Sequence, residues 1–122
     1  MFGKKKESNY VEVQGDFKKF LEGKNFASQI EEKLQDERST VFSLLLSVQK
    51  EKHGVRQVVT SFGGCEYPED VYITDLKELA DCSSVFRKTI EEYLTENGIR
   101  LSKVNADFSA LDVRINYRLE KW

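Results

Sequence analysis

Apolar residues change their spacing several times along this chain, and each change predicts an element. Residues 1–15 are mostly polar and read as a tail, with Tyr10, Val11 and Val13 offering a short strand. Asp16 then stands where a helix cap belongs, ahead of Phe17, Phe20 and Leu21 at helical spacing. Gly23-Lys24-Asn25 interrupts that stripe and Phe26, Ala27, Ile30 and Leu34 resume it. The pattern predicts two short helices, or one kinked helix, ending near Arg38. The period then becomes two. Phe42, Leu44, Leu46 and Val48 point one way and Val41 and Leu45 the other, and a strand apolar on both faces is expected in the middle of a sheet. Lys52-His53-Gly54 forms a turn, residues 55–62 return as a partner strand, and Gly63-Gly64 ends it.

The second half follows a similar grammar. Residues 66–81 are acidic, contain the sole proline, Pro68, and read as a connector leading into a helix. Leu76, Leu79 and Ala80 form a short apolar stripe behind Asp75, with Glu78 three residues on in a cap-like arrangement. Cys82-Ser83-Ser84 is expected to break that helix. Val85, Phe86, Thr89, Ile90, Tyr93 and Leu94 then form the inner face of another, stopped by Asn97-Gly98. From Ile99 the period is again two, through Leu101 and then Leu111, Val113, Ile115, Tyr117 and Leu119, with the turn between Asn105 and Ala110. Asp112, Arg114, Asn116, Arg118 and Glu120 interleave with the last set, so that strand has one wet face. The fold class is α+β. Two helix-helix-strand-strand halves, residues 16–66 and 67–122, share a central antiparallel sheet in one compact domain.

Composition narrows the function classes. At 122 residues, with 39% hydrophobic and 33% charged residues, the chain is too apolar to be disordered. Its net charge of -2 means that any binding to a polyanion must come from local patches. Cys65 and Cys82 are too few for a disulfide framework and match no zinc spacing, so two reduced thiols are expected. No apolar run follows Lys4, Lys5 and Lys6, which argues against a secretory signal. The longest apolar stretch, near residues 41–48, has a strand's length and cannot span a bilayer. The expected compartment is the cytoplasm, with no membrane partner. His53 has no partner suggested by local spacing and reads as a solvated loop residue, and Gly63-Gly64 lacks the rest of a phosphate loop. No catalytic residue, metal-ligand set or cofactor is expected, and binding to another macromolecule is the function these features leave.

One constellation carries functional content. Leu79-Ala80, then Val85, then Thr89-Ile90, then Leu94, and finally Asn97-Gly98-Ile99 follow the order of a supporting helix, a turn, a second helix and a strand. Over residues 73–119 this resembles the winged helix-turn-helix of excisionase-like and MerR-like proteins, with an L-A pair, a turn, then V-x-x-x-T-[VIL]. The resemblance implies double-stranded DNA as partner. It places Ser84, Arg87 and Lys88 at the reading end of the second helix and Arg114 and Arg118 on the wing. Leu21, Phe26, Ile30 and Leu34 echo Ala80, Val85, Ile90 and Leu94 in the first half, with one residue fewer between the first and third members. That makes the chain either an internal pseudo-dimer or a protomer of a homodimer. The layout is similar to that of small DNA-binding accessory proteins of conjugative plasmids of Gram-positive bacteria. The same helical hairpin serves equally as packing in a protein-interaction module, an inhibitor, adaptor or immunity-type protein that presents an acidic surface. Glu91, Glu92 and Glu96 on the second helix, which would repel phosphate, keep that alternative open.

Overall fold

The computed structural model describes residues 8–52 and 54–121; His53 and the run Lys4, Lys5 and Lys6 lie outside them. The first apolar stripe folds as two helices, α1 (Gln14–Lys24) and α2 (Phe26–Asp36). Their joint is Asn25, whose φ of 53° lies in the left-handed region that asparagine tolerates better than most residues. Helix α1 begins behind Val13 rather than at Asp16, which sits inside the first turn where a carboxylate still suits the helix dipole. Tyr10, Val11 and Val13 form a turn instead of the expected strand, with the Val13 N–H bonded to the Asn9 carbonyl at 3.1 Å.

The strands are β1 (Ser39–Lys52), β2 (Val55–Phe62), β3 (Cys65–Glu66), β4 (Val71–Ile73), β5 (Ile99–Phe108) and β6 (Asp112–Lys121). They form one antiparallel sheet in the order β3-β2-β1-β6-β5, with β4 also paired to β2. As expected from its apolar content, β1 is central, lying between β2 and β6. Thr40, Phe42, Leu44 and Leu46 of β1 and Val113, Ile115, Tyr117 and Leu119 of β6 are buried on the face that carries the helices. Among the described residues no helix covers the other face: Val41, read as interior, is 52% exposed. Antiparallel sheets commonly pack one face on the core and leave the other to solvent.

Helix α3 (Glu78–Glu96) corrects the largest expectation. It runs unbroken for 19 residues through Cys82, Ser83 and Ser84, so the helix-turn-helix turn is absent and the second half has one helix, not two. The hydroxyl of Ser83 donates to the Ala80 carbonyl at 2.8 Å and that of Thr89 to the Val85 carbonyl at 3.2 Å, so both are satisfied inside the helix. Serine and cysteine cost a helix only a few tenths of a kcal/mol each (~0.5), and Cys82, Ser83 and Phe86 are buried. Packing therefore outweighs the weak break. Ala80, expected at a close helix crossing, is exposed. The helix does start and stop near where its signals lie. Asp75 accepts from the Glu78 N–H at 3.2 Å, and Asn97 caps the end with Gly98 at φ 71°.

Two smaller corrections bear on the surface. The acidic connector takes in the end of β3 and all of β4, and Tyr67, Val71 and Ile73 within it are buried. The β5–β6 turn falls at residues 109–111, later than expected, leaving Phe108 59% and Leu111 48% exposed. The core beneath the helices is rich in aromatic edges: Phe17 meets Phe86 at 4.6 Å and Tyr67 at 5.1 Å, and Phe26 meets Phe62 at 5.1 Å. Tyr93 ties α3 to α2 by accepting the Ala27 N–H at 3.0 Å, one of the amides that the start of α2 leaves without a helical partner.

Candidate functional site

The five residues expected to read DNA fall on two surfaces that do not meet. Ser84 and Lys88 are exposed on the outer side of α3, and Arg87, half-buried beside them, is held by Glu91 at 3.6 Å. Asp81 and Glu92 share that exposed stripe, so the helix presents acid and base side by side. Arg114 and Arg118 alternate with Val113, Ile115, Tyr117 and Leu119, whose side chains are buried under the helices. In a strand, alternate side chains point to opposite faces. The two arginines therefore occupy the uncovered face of the sheet, with the whole sheet between them and α3.

That uncovered face is ordered by register. Leu45 lies opposite Ser61 on β2 and Arg114 on β6, and Arg114 lies opposite Asp107 on β5. Val41 lies opposite Arg118, which lies opposite Lys103. Between these rows, Ser43 donates to the Asn116 side-chain oxygen at 2.5 Å, fixing the middle of the face. Val59, opposite Ser47, extends the apolar line toward β2. Arg114 and Arg118 form no ion pair among the described residues, whereas Arg100 and Glu120 at the end of the face approach to 4.0 Å. A shallow hollow of about 330 Å³ lies between Leu45, Asp107, Asp112 and Arg114. Alternation places Val41 and Leu45 on the second face of a central strand, but an apolar residue there looks the same whether a layer covers it or not; Val59 and Lys103 join them only through strand pairing.

Elsewhere the chemistry is structural. Burial raises the Cys82 thiol to about 12, helped by the nearby Glu78 carboxylate, so it stays protonated at neutral pH and is no nucleophile. Glu78 anchors residue 8 to the rest of the fold: its carboxylate accepts from Ser8 at 2.6 Å, from the Thr74 N–H at 2.9 Å and from the Thr74 hydroxyl. No three His, Cys, Asp or Glu side chains among the described residues are placed to hold a metal ion, and no described helix is long and apolar enough to cross a membrane. No family model, curated protein or solved structure matches the chain.

Proposed function

We propose that this protein is a protein-interaction module whose binding surface is the uncovered face of its sheet. The observation that carries this reading is the row structure of that face: Val41 exposed and Leu45 part-exposed beside two arginines that form no ion pair among the described residues. An apolar line flanked by unpaired guanidinium groups suits a partner segment that offers apolar and carboxylate side chains together, since arginine binds carboxylates in a bidentate fork. Duplex DNA fits the same face less well. Asp107, Asp112 and Glu120 stand on it among the arginines, and they oppose the dense phosphate charge that dominates DNA affinity. A broad sheet face also does not enter the major groove, where an inserted helix or two-stranded ribbon reads bases.

The test is site-specific photo-crosslinking in the cells that make the protein. A photoreactive residue at Leu45 is expected to give discrete protein adducts that disappear when Arg114 and Arg118 are changed to alanine. The same residue at Lys88 on α3 is expected to give none of those adducts. A mobility shift on duplex DNA at two salt concentrations accompanies it. Salt-sensitive retardation that depends on Arg87 and Lys88, with no protein adduct at Leu45, overturns the proposal in favour of DNA.

A further inference from the structure

The two edges of the sheet are built differently. At one edge, β2 is covered in two pieces by strands of two and three residues, β3 and β4. At the other, β5 runs for 10 residues and, among the described residues, has a partner strand on one side only. Such an edge presents a row of N–H and C=O groups pointing outward, and proteins normally shorten, cover or distort it. Here the irregularity between Leu101 and Lys103 distorts the beginning of the strand, while residues 103–108 keep a regular register. Lys103, Asn105, Ala106, Asp107 and Phe108 are all exposed along that regular stretch.

The side chains of this stretch are complementary to themselves. Val104, Ala106 and Phe108 lie opposite Tyr117, Ile115 and Val113 and so belong to the helix side, yet Ala106 is exposed and Phe108 is 59% exposed, so the core packing that reaches Ile99, Leu101 and Val104 does not extend to the end of the strand. Lys103, Asn105 and Asp107 belong to the uncovered side. A two-fold axis perpendicular to the sheet preserves faces, so an antiparallel copy must place some residue opposite itself. An axis at Lys103 or at Asp107 sets like charges against each other. An axis at Asn105 sets Lys103 opposite the second copy's Asp107 twice, and Val104 opposite its Ala106 twice.

We propose that a second copy of this chain pairs with β5 in that register, with Asn105 on the axis, making one continuous sheet across the dimer. The apolar strips of the two copies then join on the helix side, and the two uncovered faces join on the other. This pairing does not depend on what the uncovered face binds.

The experiment uses the full chain. Sedimentation equilibrium is expected to show a concentration-dependent species of twice the 14.2 kDa protomer mass. Lys103→Asp alone, or Asp107→Lys alone, is expected to weaken association about tenfold by placing like charges opposite each other twice. The double exchange K103D/D107K restores the pairs and is expected to restore the dimer. Register is read separately with Asn105→Cys in a Cys65→Ser background. Directly opposite residues of antiparallel strands lie about 4.5–5.5 Å apart, within disulfide range, so mild oxidation is expected to link N105C to itself, whereas Lys103→Cys links only when mixed with Asp107→Cys. A wild-type chain that sediments as a monomer at every concentration overturns the proposal. A dimer indifferent to both charge reversals, with no N105C cross-link, overturns it as well, because its interface then lies elsewhere.

Discussion

Glu78 shows how much one side chain organises here. Burial alone would raise its carboxyl, but hydrogen bonds from Ser8, from Thr74 through both its hydroxyl and its N–H, and from Tyr10 outweigh that and hold it at about 2. Its ordinary value is 4.5, so the folded state binds this proton less readily than the unfolded chain. The stabilisation is therefore fully present above about pH 4.5 and fades as pH falls through that range toward 2. Glu78→Gln removes the charge and one strong acceptor, and its melting temperature at pH 7 is expected to drop by about 5 °C. Thermal melts between pH 6 and pH 2 check the sign: the wild type loses its advantage over the variant across that acid window, and the two curves converge at its lower end. A constant gap down to pH 2 would mean that the carboxylate's charge contributes nothing.

Helix α3 is where local signals and packing disagree, and its continuity has a direct consequence. Ser84, the seventh residue of the helix, is exposed in its interior. In a turn between two helices, proline there would be harmless. In an unbroken helix it removes a hydrogen bond and clashes with the preceding turn, which costs about 3 kcal/mol, whereas Ser84→Ala is expected to be neutral or to stabilise by up to about 0.5 kcal/mol. Urea unfolding of the two variants measures this, and an S84P protein as stable as the wild type would place a break at that position. The same element marks the limit of what the pattern of residues reveals. Periodicity located both helices of the first half, the central β1 and its partner β2, because long apolar stripes leave little choice of face. It also put Arg114 and Arg118 on a wet face, where they are. It missed the continuity of α3 because Cys82-Ser83-Ser84 reads as polar, although Cys82 and Ser83 are buried against the fold. It missed β3 and β4 because strands of two and three residues carry no period. The candidate surface was half legible: its arginines follow from alternation along β6, but their company with Val41, Leu45 and Lys103 depends on non-local strand pairing.

At the scale of the whole molecule, the governing feature is a sheet that the described helices cover on one face only. Adjacent residues of β1 then live in opposite environments: Leu44 is fully buried beneath the helices, while Leu45 is part-exposed on the open face, opposite Arg114. Had helices covered both faces, truncating either leucine would open a cavity. With one covered face, Leu44→Ala is expected to destabilise the fold by about 2–5 kcal/mol, the range for a leucine lost from a packed core. Leu45→Ala leaves no enclosed void, since its neighbours face solvent, and is expected to cost under about 1 kcal/mol. The functional consequence runs the other way. Adducts captured from a photoreactive residue at Val41 are expected to fall when Leu45 is truncated and to persist in a folded Leu44→Val protein, because of the two only Leu45 lies on the face proposed to bind a partner. Equilibrium unfolding and crosslinking yield therefore separate the two leucines along independent axes. Equal destabilisation by the two alanine changes would mean that a second layer covers the open face, and that β1 is the doubly buried strand its apolar alternation first suggested.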